Sequence, residues 1–171
     1  MPTLTPLTHD AFLAGIASLA EALRTDGWRP ALLVGVGRGG LTPAVFLSHA
    51  TGTPMVSIDF STPIPAFNDA LIETLAARTR DGERQLFVED INDSGATIAA
   101  IRAKLAAAGA VMGHTRFAVL IDNASSVAKV DYRHLTIDRR VTKDWFVFPW
   151  EAVAPAAAIL EDADEVPART A

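Results

Sequence analysis

The sequence predicts an α/β fold: a doubly wound, mostly parallel sheet flanked by helices. Two observations carry that expectation. Short apolar runs of strand length, Ala31 to Val36 and Gln85 to Glu89, each lead through a glycine-containing turn into a helical stretch, so strand, turn and helix recur in order. Half of the 171 residues are apolar, enough for one core and too few for two full domains. A single domain over residues 1–155 is expected, with a flexible loop at about 60–84 and a tail over 156–171.

Thr8 can cap a first helix in which Phe12, Ile16, Leu19 and Leu23 form an apolar stripe that stops before Gly27. The buried strand Ala31–Val36 then meets the glycine-rich turn Gly35–Gly40, and a helix follows at about Pro43–Ala50. A second strand, Pro54–Phe60, runs into Pro63, Pro65 and Asn68, where regular pairing is improbable, with a helix allowed around Asp69–Arg78. The third strand delivers the chain through Asp90–Gly95 into a helix over Thr97–Ala108, closed by Gly109. Further strands are expected at Thr115–Ile121, Tyr132–Ile137 and Trp145–Phe148, and the last ten residues are expected to be loose.

Composition narrows the function classes. A formal net charge of -5 repels nucleic acid and anionic membrane at long range, so neither is an expected partner. No cysteine is present, which removes disulfide frameworks, thiolate metal sites and thiol nucleophiles. Neither a secretory leader nor a run of about 20 apolar residues is found, and a cytoplasmic protein is expected. His9, His49, His114 and His134 show no metal-ligand spacing, and Arg133, His134, Arg139, Arg140 and Lys143 read first as a solvated face.

Two segments carry chemistry. Gly35-Val36-Gly37-Arg38-Gly39-Gly40 fits a dinucleotide-binding turn, with Asp59 ending the next strand about 20 residues on. Arg38, however, puts a cation where such a turn has little use for one and where a pyrophosphate outside it would. A phosphate loop of the Walker kind fails, because no Gly-Lys-Ser/Thr follows. The second segment is Leu86 to Thr97, in which Glu89 and Asp90 end an apolar strand and Asp93-Ser94-Gly95-Ala96-Thr97 opens a helix. The turn offers amide and hydroxyl donors for one phosphomonoester. Two carboxylates beside a phosphate repel it by about 1–4 kcal/mol per pair, so sugar hydroxyls or a metal must lie between. A calcium loop is excluded, since Ile101 stands where its bidentate acid is due.

Val88 to Thr97 resembles the ribose-phosphate fingerprint of the type I phosphoribosyltransferases, and Val36 to Pro43 resembles their pyrophosphate loop. The likeness is closest to the bacterial xanthine-guanine (6-oxopurine) branch, through Leu7-Thr8-His9-Asp10, Arg38 to Pro43, and Trp145 to Glu151. The resemblance implies transfer of a phosphoribosyl group from phosphoribosyl pyrophosphate to a nitrogenous base, a purine or close analogue, with release of pyrophosphate and magnesium as cofactor. It implies the 5-phosphate on Asp93, Ser94, Gly95, Ala96 and Thr97, and the ribose hydroxyls or metal at Glu89 and Asp90, directly or through water. Gly37, Arg38 and Gly39 would face pyrophosphate, Asp93 would be the general base, and Trp145 with Phe146 would flank the purine. A sheet-packing role for Trp145 is the alternative. A homo-oligomer, dimer or tetramer, is implied as well, and so is a small hood from about 132–155 together with the N-terminal segment.

Three departures stand out. Asp122 occupies the place of the family's purine-sensing lysine, an acceptor where a donor is expected, which favours an amino-bearing base. The Ser-Tyr pair that starts the flexible loop is missing, and Ser61 to Leu75 carries no arginine or lysine. The alternatives are a non-catalytic sensor of phosphoribosyl pyrophosphate and, further off, a dinucleotide-binding oxidoreductase.

Overall fold

The chain begins at its hood and returns to it. In the computed structural model, which describes residues 3–59 and 65–164, with the backbone alone for 65–67, β1 (Leu4–Pro6) pairs in parallel with β7 (Trp145–Val147) in a two-stranded sheet. Between them lie α1 (His9–Asp26), β2 (Leu32–Val36), α2 (Gly37–Thr51), β3 (Met55–Ile58), α3 (Pro65–Arg80), β4 (Gln85–Asn92), α4 (Ala96–Ala107), β5 (Thr115–Asn123) and β6 (Tyr132–Ile137), and α5 (Ala156–Asp164) follows. The main sheet has the order β3-β2-β4-β5-β6, and every pairing in it is parallel.

Alternation along the central strands sorts the core into two layers. Leu33, Leu86, Val88, Ala118 and Leu120 pack against Phe12, Ile16, Leu19 and Leu23 of α1 and Ala44 and Leu47 of α2. Val34, Val36, Phe87, Phe117 and Val119 point the other way, onto Ile72 and Leu75 of α3 and Ile98, Ile101 and Leu105 of α4. A sheet covered on both faces explains why β2 reads as a continuous apolar run. The expected cap on α1 is present: Thr8 Oγ1 accepts from the Ala11 amide at 3.1 Å, and Gly27 closes the helix with a left-handed φ of 72°.

Several expectations change. No six-residue glycine turn intervenes between β2 and its helix: Gly35 is still in the strand, and Gly37 to Gly40 are the first turn of α2. The glycines serve close approach. A methyl group at Gly40 would overlap the Val88 carbonyl oxygen, and one at Gly39 would overlap the Asp90 carboxylate, so α2 rests directly on the end of β4. Within the expected loop at 60–84, residues 65–80 form α3, held by buried Ile72, Leu75 and Ala76; Phe60 to Ile64 lie outside the described residues. β4 runs to Asn92, which places Glu89 and Asp90 inside the strand. β6 joins the main sheet, so the hood starts after Ile137. The tail is helical to Asp164, where an alanine-rich run buries Ala163.

Candidate active site

β2 and β4 are neighbours, yet α2 carries the chain from β2 towards β3 and α4 carries it from β4 towards β5. Their carboxyl ends therefore diverge and leave a crevice, the usual ligand position in an open parallel sheet. Two adjoining cavities occupy it. One is lined by the run from Glu89 to Ile98 with Arg139, Trp145, Phe146 and Phe148; the other by Gly37, Arg38 and Gly39 with Trp150 and, from α5, Ala158, Ile159 and Asp162. Glu89, Asp90, Thr97, Trp145 and Glu151 line both.

Each cavity receives a helix start. Neither α2 nor α4 has a hydrogen bond from the side chain of its N-cap residue, in contrast to α1, so their leading amides, apart from that of Ala96, keep donor capacity. Before α4, Gly95 takes a φ of 90°, and a Cβ there would lie 2.6 Å from both the Ala128 nitrogen and Ser126 Oγ. Only glycine satisfies the turn and the packing together. Ser94 Oγ sits 3.3 Å from the Ala96 amide, which it accepts.

The carboxylates divide into two kinds. Glu89, Asp90 and Glu151 gather at the shared wall. Burial is the main force raising Asp90, to about 7, with Glu151 pushing the same way while the Ile91 amide, 2.7 Å from Asp90 Oδ1, works against it. Glu89 is driven well above the carboxylate range by burial and then by Asp90, and its Oε2 is buried without a hydrogen-bond partner. Burial also raises Glu151, with Asp162 adding to the rise and Arg38 opposing it. Asp93 differs. Both its oxygens are held by Arg139, from Nε at 2.8 Å and Nη2 at 3.1 Å, and the arginine side chain is 1% exposed.

The sequence-predicted residues separate accordingly. Gly37, Arg38, Gly39, Glu89, Asp90, Asp93, Ser94, Gly95, Ala96, Thr97, Trp145 and Phe146 all line the crevice. Asp122 is set back from it: buried, it accepts from Asn92 Nδ2 at 2.7 Å and lies 3.9 Å from Arg133 Nε. Asn92 also donates to the Ala128 carbonyl and accepts from Ser126, so this polar cluster ties the 126–128 turn to β4. Arg139 leaves the expected solvated face altogether, whereas its neighbour Arg140 stays exposed and pairs with Asp138. Sequence reading missed Arg139, Glu151 and Asp162 as crevice residues. Glu151 had a signal in the Trp145 to Glu151 run; Arg139 had none, because Asp-Arg-Arg looks alike whether solvated or buried.

The phosphoribosyl transferase domain model matches residues 6–155. Among solved structures, the chain is similar to a purine phosphoribosyltransferase from Pyrococcus horikoshii, at 27% identity over 88% of this chain and 96% of that one, with a TM-score of 0.65. It also shares its fold with a hypothetical protein from Neisseria gonorrhoeae with bound ppGpp, at 21% identity over 98% of each chain and a TM-score of 0.69. The xanthine-guanine-hypoxanthine phosphoribosyltransferase of Helicobacter pylori has the same fold, at 22% identity over 92% and 97% and a TM-score of 0.65.

Proposed function

Because the chain belongs to the phosphoribosyl transferase domain family, we propose that it transfers the 5-phosphoribosyl group of phosphoribosyl pyrophosphate to a ring nitrogen of a purine and releases pyrophosphate. One observation carries this reading: two helix starts, at Gly37 and Ala96, open onto adjoining cavities that share a wall of carboxylates. A monoester and a diphosphate on one sugar match that spacing of donors and acids.

In this reading the 5-phosphate sits on the amides and hydroxyls of Asp93 to Thr97. Glu89 and Asp90 accept hydrogen bonds from the ribose diol, which would satisfy the orphaned Glu89 Oε2. Arg38 and the Gly37–Gly39 amides take the pyrophosphate. The same orphaned oxygen and raised carboxylates fit a divalent cation, held by Glu89 and Asp90 directly or through diol and water. Among the described residues no three acidic or imidazole groups converge on a metal position, so oxygens of the substrate would complete its shell. Bound magnesium would neutralise charge on the leaving group.

As the bond from the anomeric carbon to the pyrophosphate oxygen breaks, positive charge develops on the sugar. The acids below it stabilise that charge more than they stabilise the ground state. Trp145 and Phe146, which both line the cavity, flank the base position, and Asp93 accepts the ring proton as the purine nitrogen bonds to carbon. Asp122 acts on base choice through Asn92, whose amide it holds. The test is pyrophosphate release by purified protein with magnesium phosphoribosyl pyrophosphate and a panel of purines and pyrimidines. Release that requires a purine is expected; no release with any base would reject the proposal.

A further inference from the structure

A buried arginine needs an explanation beyond stability. Removing two charges from water carries a large desolvation cost, and an apolar pair of equal volume is often as stable or more so. Arg139 is nonetheless 1% exposed, and its partner carboxylate, Asp93, is 13% exposed at the cavity wall. The guanidinium is fixed on both sides. Nε and Nη2 grip the two Asp93 oxygens as a fork, while Nη1 donates to the Asp144 carbonyl at 2.5 Å and the Thr142 carbonyl at 3.3 Å.

Those two carbonyls belong to the turn that leads directly into Trp145 and Phe146. The Phe146 ring lies 5.5 Å from the guanidinium carbon. A second brace runs through Asn123, whose Oδ1 accepts from the Arg139 amide at 3.1 Å and whose Nδ2 donates to the Asp93 carbonyl at 2.9 Å. Asp93 is thus held at both carboxylate oxygens and at its own carbonyl, by groups that also seat the hood. A carboxylate so held cannot swing away from the cavity without breaking a charged fork in a dry setting.

We infer that Arg139 is a positioning residue, which fixes the Asp93 carboxylate in register with the aromatic base platform of the hood. The inference rests on the role given to Asp93 above. Arg139 touches no reacting atom; it sets the distance and plane at which Asp93 meets the base, and misplacement of such a group by about 1 Å can cost about 100-fold. It differs from a merely structural ion pair in one respect: its effect on turnover passes entirely through Asp93.

A double-mutant cycle on steady-state turnover separates the two. Arg139→Lys keeps the charge and loses the fork, and should lower kcat by about 10-fold or more with KM for phosphoribosyl pyrophosphate changed less than about 3-fold. In an Asp93→Asn background the same change should cost less than about 2-fold in kcat. Equal penalties in both backgrounds, or a loss confined to KM for phosphoribosyl pyrophosphate, would overturn the inference while leaving an active wild-type enzyme and the functional reading intact. A wild type inactive with every base would instead remove that reading and this inference with it. Should the lysine variant fail to fold, Asp93→Asn with Arg139→Gln removes the stranded charge; turnover must then match Asp93→Asn alone, and a further 10-fold loss overturns the inference.

Discussion

Glu89 and Asp90 lie three to four residues from Asp93, on one continuous segment, yet the two places treat a carboxylate in opposite ways. The pair inside β4 is half-buried, has no cation bonded to it among the described residues, is crowded by Glu151, and is shifted towards the neutral form. Asp93 is gripped by a buried guanidinium. The difference teaches how one loop can hold two chemistries. In the proposed reading, the acids at Glu89 and Asp90 await hydroxyls or a cation from the substrate, while Asp93 is held in place to take a proton.

The largest expected effect comes from breaking the partnered side. Asp93→Asn should lower turnover by about 100-fold or more, and its melt should reveal the stranded Arg139 as a loss of about 3 kcal/mol. Near-normal turnover would remove Asp93 from the proton-accepting role. Next is Gly39→Ala, whose new methyl would displace the Asp90 carboxylate and push α2 off β4. It should weaken phosphoribosyl pyrophosphate binding by about 10-fold or more, with a smaller loss for ribose 5-phosphate, which loses the Asp90 contact to its diol but keeps the phosphate position at α4.

The unpartnered side can be sharpened with pH. Asp90 titrates near 7 in the folded protein against 3.8 in the reference state. Between those values the folded state holds a proton that the unfolded state has lost, so this group lowers stability as pH rises from about 4 to 7, by about 2–4 kcal/mol in full. Asp90→Asn abolishes the penalty. Thermal melts should show the variant equal to wild type near pH 4 and about 5–10 °C more stable at pH 8, although its activity is lost. Equal melts at both pH values would mean that Asp90 is not held neutral by burial. The smallest effect is expected from Asp122→Lys, which acts through Asn92: a preference shift towards 6-oxopurines of less than about 10-fold. An unchanged base profile would take Asp122 out of base recognition.

Most of the fold was legible because β2, β4 and β5 are buried on both faces and carry their signal as uninterrupted apolar runs. The two helix starts were legible for a chemical reason, since Gly37–Gly40 and Ser94–Thr97 combine small residues with an arginine or with hydroxyls. What could not be read depended on distant partners. Gly39 and Gly40 look like a flexible turn until Val88 and Asp90 are placed against them. α5 looks like a solvated alanine-rich tail until Ala163 is buried and Asp162 faces the crevice. Asp122, aligned with a base-reading lysine, turns out to be bonded to Asn92. Arg139 and Arg140 are adjacent and chemically identical; only the third dimension assigns one to Asp93 and the other to solvent.

The central claim is that a single sugar spans both helix starts, and calorimetric competition tests it directly. Ribose 5-phosphate and pyrophosphate should each displace magnesium phosphoribosyl pyrophosphate, bind together without excluding one another, and respond separately to substitutions at Gly95 and Gly39. If the two fragments exclude each other, or if phosphoribosyl pyrophosphate binds no more tightly than ribose 5-phosphate alone, the helix starts do not serve one ligand.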